Sequence, residues 1–415
     1  MWGANNRKRR GSRNEEVSVL IHRVLAMPAL FLLLAVTACG GGGEESSSSF
    51  QSQSASNTGT AQGSSSSQST SLTPTWDLNS ADPSEVAVSS ADVEAILDHV
   101  FSDEAAQSAV LVKDGYLIGE RHSPGADNTT LGTSWSVAKS FYAMAVGIAI
   151  DEGWLEGLDQ PASEILTEWA DTNLASVTIR QLLEMRAGLA ANSSIFFEED
   201  QTGFALRAPK VRAEGERFVY SNPTSQLIEP LLRRATGLDA HSYLREKLLT
   251  PIGIDINLVG MWFDRSGVNP LTYMGLDLTP LDMARFGLMV ARGGEWDGTQ
   301  IVSSAFVQES LRPSSAHYGL HWWILNDAFF AEPTPVDIVA ALGLDGQKIY
   351  VWPEQDIVLV FLTQYEHGAN QGFTLSELNF PNTCTARNSC PGAVGGEVPT
   401  FDQRELVDLL HNLVK

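Results

Sequence analysis

The stretch "TSWSVAKSFYAMAVGIAI" (133–150) places one of only seven lysines in the chain, Lys139, near the front of an otherwise apolar run. The pattern predicts a helix over about 136–152, apolar on nearly every side and therefore buried centrally. Its uncharged part is too short to cross a bilayer, which takes roughly 20 residues. A lysine in that position loses water and sits near the positive end of the helix macrodipole, and both effects push its pKa down. Ser136 stands three residues earlier, and positions i and i+3 of a helix share a face. An amine that has shed its proton is what a serine hydroxyl needs beside it to become a nucleophile. The spacing alone decides nothing, because chance supplies roughly 0.7 such pairs in a chain like this. A lysine snorkelling out of a core helix stays open as the alternative.

Working outward, the flanks supply a sheet. "SADVEAILDHVF" (90–101) reads as a helix capped by Ser90, with Val93, Ile96, Leu97 and Val100 at helical spacing. "AVLVKDGYLIGER" (109–121) reads as two strands around the hairpin signal Asp114-Gly115. From about 160 to 291 the pattern is mostly helical with short loops. Within it, "YSNPTSQLIEPLLRRATG" (220–237) predicts a helix with Asn222 as cap, Pro223 in the first turn and Gly237 as stop. Strand signals return at "YGLHWWIL" (318–325) and at "KIYVWPEQDIVLVFL" (348–362), a hairpin around 353–356. "FDQRELVDLLHNLVK" (401–415) closes the chain as an amphipathic helix marked by Leu406, Leu409, Leu410 and Leu413. Strands at both ends and helices between predict an α/β (α+β) fold. It has one antiparallel sheet flanked by helices and a helical region inserted at about 160–300.

Three motifs in this order resemble the serine β-lactamase and penicillin-binding-protein superfamily, in particular the branch of class C-like esterases and 6-aminohexanoate-dimer hydrolases. "SWSVAKSF" (134–141) is similar to its S-x-x-K element, and "GERFVYSNPTSQLIEPLL" (215–232) to its Y-x-N element. "ALGLDGQKIYVWPEQDIVLV" (341–360) is similar to a third element, a strand that usually reads K-T-G or H-x-G and here reads Leu344-Asp345-Gly346. "LLEMRAGL" (182–189), "DLTPLDMARFGLMVARGGEWDGTQIV" (277–302) and "YGLHWW" (318–323) extend the likeness over about 90–415.

The resemblance implies a β-lactamase/transpeptidase-like fold and a role for each matching residue. Ser136 is the implied nucleophile, and Lys139 the partner that takes or relays its proton. Tyr220, as phenolate or hydrogen-bonded phenol, is the implied general base and then the acid for the leaving group; a core tyrosine is the alternative. Asn222 would hold a substrate carbonyl or the lysine, and the N–H groups of Ser136 and Gln347 would form the oxyanion hole. Leu344, Asp345 and Gly346 would line the substrate site. Leu344 departs from the pattern, standing where penicillin-recognising relatives carry a cation for the β-lactam carboxylate, and Asp345 beside it repels one. Asp345 either meets a substrate amine or is a solvated turn residue. Ester or amide hydrolysis of a neutral or cationic small molecule is therefore expected. The alternatives are a non-catalytic binding protein of the same fold and a true β-lactamase or D,D-peptidase. The loop "ANSSIFFEEDQTGF" (191–204) is expected to wall the pocket.

Other chemistries lack their signatures. "GTSWS" (132–136) misses the closing glycine of a G-x-S-x-G elbow, and there is no H-E-x-x-H. His317 and His321 fall in an expected strand and read as packing or surface residues. No phosphate-binding glycine loop occurs, so no cofactor and no metal are expected. A formal charge of −23 argues against nucleic acid as a partner.

The first residues read as an export signal. "RKRRGSR" (7–13) precedes the uncharged run "VLAMPALFLLLAVTA" (24–38), whose 15 residues suit the apolar core of a signal peptide. "VTAC" (36–39) resembles a bacterial lipobox, which implies lipid on Cys39; an ordinary signal peptide with a chance cysteine is the alternative. Residues 40–75, rich in Gly, Ser, Gln and Thr, cannot bury enough surface to offset ordering entropy and read as a flexible tether. The expected organisation is a lipoprotein signal over 1–39, this linker over 40–75 and a hydrolase domain over 76–415. The expected location is the periplasmic side of the envelope. Gly40 is not the aspartate that retains some lipoproteins at the inner membrane, which favours the outer one. Cys384 and Cys390 in "NTCTARNSCPG" (382–392) are expected to form a disulfide, with free thiols or half of a metal site as alternatives.

Overall fold

A computed structural model describes residues 72–103, 105–363 and 401–415. The first part runs α1 (Ser90–Val100), β1 (Ala106–Lys113), β2 (Tyr116–His122), β3 (Gly132–Thr133) and α2 (Ala138–Asp151). An insertion of short helices follows: α3 (Ile179–Leu183), α4 (Gln201–Leu206), α5 (Asn222–Gln226), α6 (Ile228–Thr236) and α7 (Ala240–Leu244). Next come β4 (Gly260–Met261), β5 (Leu276–Leu278), α8 (Pro280–Ala291), β6 (Glu295–Trp296), β7 (Thr299–Gln300) and α9 (Ser304–Leu311). The chain ends with β8 (Trp323–Leu325), α10 (Asp327–Phe330), β9 (Ile338–Leu342), β10 (Lys348–Trp352), β11 (Ile357–Thr363) and α11 (Gln403–Asn412).

Six strands form one sheet in the order β2-β1-β11-β10-β9-β8, antiparallel throughout. Its central strands are covered on both faces, so their side chains sort by parity. Val358, Val360 and Leu362 of β11 join Val110 and Val112 of β1 in a core with α2 and α8. Ile357, Leu359 and Phe361 join Ala109 and Leu111 in a second core with α1 and α11. Helix α8 lies so close to the sheet that a Cβ on Gly287 would stand 2.6 Å from Val358 Cγ1. Neither Val358 nor the neighbouring Ile349 has a flexible end that could yield. Gly287→Val is expected to cost about 1–3 kcal/mol of stability, read as a lower midpoint in thermal or urea unfolding.

The architecture agrees with the expected antiparallel sheet, flanking helices and helical insertion, but several local expectations change. Ser89 rather than Ser90 caps α1, accepting from the Ala91 N–H. Ser221 rather than Asn222 caps α5, accepting from the Thr224 N–H. The shorter serine side chain reaches back to the helix and leaves Asn222 free to point elsewhere. The stretch expected as a strand from Tyr318 is extended only over β8, because His321 takes φ +59 and breaks it. Residues Leu344–Gly346 form a 3-10 turn between β9 and β10 rather than strand. The insertion is less helical than expected and contributes β4 and β5 to a small sheet with β3.

The tether expected to run to residue 75 is already bonded to the domain at its end. The N–H groups of Leu72 and Thr75 donate to the carbonyls of Glu85 and Asp114. Among the described residues no cysteine pair stands at bonding distance, and the expected Cys384–Cys390 disulfide is not carried further. Those two residues, and Cys39, lie outside the described residues. Among the described residues, no helix is long and apolar enough to cross a membrane.

Candidate active site

Two packing regions meet where α2 begins. A 3-10 turn, Trp135–Val137, leads into the helix, so Ser136 sits just ahead of the first α-helical residue. Trp135 packs into the core of the insertion and Val137 into the core under α8. Trp135 holds φ +44, a left-handed conformation that costs a non-glycine residue roughly 1–3 kcal/mol. The turn is pinned from below: the Ser134 N–H donates to the Leu276 carbonyl at 2.8 Å, and Ser134 Oγ accepts from the Leu276 N–H at 3.0 Å. The bend leaves Ser136 half-buried on the wall of a cavity of about 460 Å³.

Lys139 is 1% exposed. Its Nζ donates to Ser136 Oγ and to the Tyr273 carbonyl, both at 2.8 Å. The rings of Tyr220 and Tyr273 lie over it with centroids 5.0 and 5.4 Å away. Burial holds its pKa well below the usual lysine value, because a charged amine here would lose its hydration without a carboxylate in return. The Ser136 side chain lies near enough to the Tyr220 phenol to act on its pKa. Burial raises the Tyr220 pKa, and the Ser136 side chain opposes the rise only in part. Tyr220 is therefore a neutral phenol at ordinary pH, and the phenolate form expected from sequence as one option is disfavoured. Tyr273 is fixed in turn by its hydroxyl, which donates to Gln201 Oε1 at 2.6 Å.

The remaining candidates divide. Asn222 lines the cavity, and its Oδ1 is buried with no hydrogen-bond partner among the described residues. Leu344 also lines it. The side chain of Asp345 lies outside what is described, and Gly346 supplies a turn at φ +94. Gln347 is held by its side chain, which donates to Thr363 Oγ1 at 2.7 Å and accepts from the Thr363 N–H at 3.2 Å. Gly343 links this strand pair to the serine turn: its N–H donates to the Gln347 carbonyl at 2.7 Å. A Cβ on Gly343 would meet Ser134 O at 2.4 Å and Gln347 Cβ at 3.0 Å. Only glycine allows the strand end to approach the turn this closely.

The aromatic walls were not foreseen. Phe196 comes from the loop expected to wall the pocket, while Tyr273 and Met274 come from the segment before β5, Trp323 from the edge strand β8 and Phe329 from α10. Trp323 lies inside a stretch that sequence had flagged without giving it a task. His321 is buried, and its Nδ1 stands 3.1 Å from the Lys139 carbonyl, so it donates there and braces the first turn of α2. Among the described residues, no group of three or more His, Cys, Asp or Glu could hold a metal ion.

The sheet, the insertion and the serine–lysine–tyrosine cluster define a β-lactamase/penicillin-binding-protein-like member of a hydrolase superfamily. The β-lactamase family profile matches residues 103–379, and the chain belongs to that family. It is similar to the 6-aminohexanoate-dimer hydrolase of Paenarthrobacter ureafaciens, with 22% identity over 352 residues, 73% of this chain and 87% of that one. Two solved structures share the fold. One is a Bacillus anthracis protein assigned as a 6-aminohexanoate-dimer hydrolase, with TM-score 0.57, 19% identity, and coverage of 71% of this chain and 84% of that one. The other is a penicillin-binding-protein homologue from Caulobacter crescentus, with TM-score 0.55, 18% identity, and coverage of 69% and 92%.

Proposed function

We propose that this chain is a serine hydrolase that cleaves a small ester or amide through an acyl-enzyme on Ser136. The observation that carries the reading is the 2.8 Å contact between Ser136 Oγ and a desolvated Lys139 Nζ, with the Tyr220 phenol beside Ser136 on the same cavity wall. With the amine neutral, the hydroxyl hydrogen turns toward its lone pair and passes to Nζ as Oγ attacks the carbonyl carbon. The N–H groups of Ser136 and Gln347 receive the oxyanion. As the bond to the leaving group breaks, the Tyr220 phenol gives its proton to the departing oxygen or nitrogen and regains one from the Lys139 ammonium. Water then attacks the acyl-enzyme by the same steps in reverse, releasing the acid and restoring Ser136. Asn222 lines the same cavity, where its side-chain amide can meet the substrate.

None of the cavity's described lining residues carries a formal charge, which supports an uncharged substrate and argues against the β-lactam carboxylate. One absent charge-assisted contact is worth about 1.5–3 kcal/mol, or roughly ten- to a hundredfold in rate. p-Nitrophenyl acetate or butyrate is accordingly expected to turn over at least about tenfold faster than nitrocefin. The 6-aminohexanoate dimer belongs in the same panel because relatives carry its name. Leu344→Lys is expected to raise nitrocefin turnover. Nitrocefin hydrolysis as fast as that of the esters would overturn this specificity.

The proposal extends to location. Lipid on Cys39 would hold the domain on the periplasmic side of a membrane, the outer one by the Gly40 argument. Mass spectrometry of the mature N-terminus is expected to find a diacylglyceryl-modified cysteine there; an unmodified residue of another type would refute the anchor.

A further inference from the structure

The wall of the cavity formed by the edge strand β8 and helix α10 is a fixed aromatic corner. Trp323 and Phe329 both line the cavity, their ring centroids 5.8 Å apart and their planes at 79°. The indole is braced on several sides. Tyr220 stacks on it at 5.6 Å and 24°, His317 at 5.9 Å and 2°, and Tyr318 meets it edge-on at 4.9 Å. A ring held by so many neighbours is set before any ligand arrives, and a preorganised wall saves the ordering entropy a flexible one would lose. Two rings at a right angle suit a third, which can lie offset against one face and present its edge to the other. Phe196, from the insertion, adds a further ring to the lining and is itself edge-on to Tyr273 at 5.5 Å.

The polar part of the lining is small and already partly engaged. Asn192 Oδ1 accepts from the Ser194 N–H at 2.9 Å. Among the described lining residues, none would meet an entering ion with a countercharge in return for its lost water. The volume, about 460 Å³, lies within the range of sites that enclose whole small molecules, and an acetyl group would leave much of it unfilled.

We infer that the substrate is an uncharged ester or amide carrying an aryl or arylmethyl group next to the scissile bond, and that Trp323 and Phe329 form the slot for that ring. The inference rests on the hydrolase reading above, and the test separates the two. Purified full-length protein is assayed with methyl acetate, methyl phenylacetate (ring on the acyl side), benzyl acetate (ring on the alcohol side) and methyl cyclohexylacetate. At least one aryl ester is expected to exceed methyl acetate in kcat/KM by about ten- to a hundredfold, the scale of burying a phenyl group. If the ring sits on the acyl side, methyl phenylacetate is also expected to exceed its cyclohexyl counterpart, because only the flat ring gains edge-to-face contact. Phe329→Leu is expected to lower the aryl-to-acetyl ratio at least about fivefold, whatever happens to the absolute rates, and Phe329→Tyr to preserve it. Aryl-to-acetyl ratios near one for both aryl esters, or a ratio unmoved by Phe329→Leu, would overturn the slot. Binding of phenylacetamide, read by tryptophan fluorescence in both wild type and Ser136→Ala, covers the remaining case. Saturable binding weakened by Phe329→Leu, with no ester turned over, would uphold the slot and sink the hydrolase. Absence of both binding and turnover would sink both.

Discussion

Ser136→Ala is expected to lower ester turnover by at least about a thousandfold. The substitution removes the hydroxyl that Lys139 Nζ holds at 2.8 Å and that stands beside the Tyr220 phenol. What remains is substrate binding and the N–H groups of the strand-end and serine turns, which alone give a small fraction of the rate. The fold should not suffer comparably. Ser136 is half-buried, and the loss of its bond to Lys139 costs about 1 kcal/mol. Unchanged turnover in a variant with a normal unfolding midpoint would leave the buried lysine unexplained.

Lys139 carries the second large effect. Lys139→Met keeps the length and apolar stem but removes the proton acceptor, and turnover is expected to fall by about a hundredfold or more. In the wild type the neutral amine is the active form, so kcat/KM should rise as pH climbs through the lowered lysine pKa and then level off. The raised Tyr220 pKa keeps the phenol protonated across that range. A rising limb at the ordinary lysine value would contradict burial as the controlling effect. Stability follows by linkage. The folded pKa lies below the unfolded one, so between the two the unfolded chain binds the additional proton. Stability therefore increases as pH rises through that window, and the desolvation penalty is complete below the folded pKa. Lys139→Met should flatten that dependence in unfolding curves taken across the same pH range.

The features read from sequence with least difficulty were those with a local cause. Asp114 and Gly115 take φ +53 and +79, as a tight hairpin with a positive-φ pair requires, and the apolar run before Asp151 is buried because polar faces are absent from it. The Ser136–Lys139 contact was legible because i and i+3 meet on any helical turn. Caps were read one residue off, since serine and asparagine both serve and only the fold decides which side chain faces back. That choice matters at Asn222, whose release from capping puts its amide in the cavity. The break at His321 and the turn at 344–346 depend on tertiary contacts: the Ser140 hydroxyl holds the His321 carbonyl at 2.7 Å, and Gly343 backs onto Ser134. The aromatic corner was hidden for the same reason. Trp323 and Phe329 lie on different elements, and nothing in their spacing announces that they share a wall.

The most direct test of the central claim is mass spectrometry of the protein quenched in acid during turnover of a p-nitrophenyl ester. The account predicts an acyl increment on the peptide containing Ser136, chased away as the ester is consumed and absent from Ser136→Ala. Turnover with no covalent adduct, or an adduct on another residue that persists in Ser136→Ala, would contradict it.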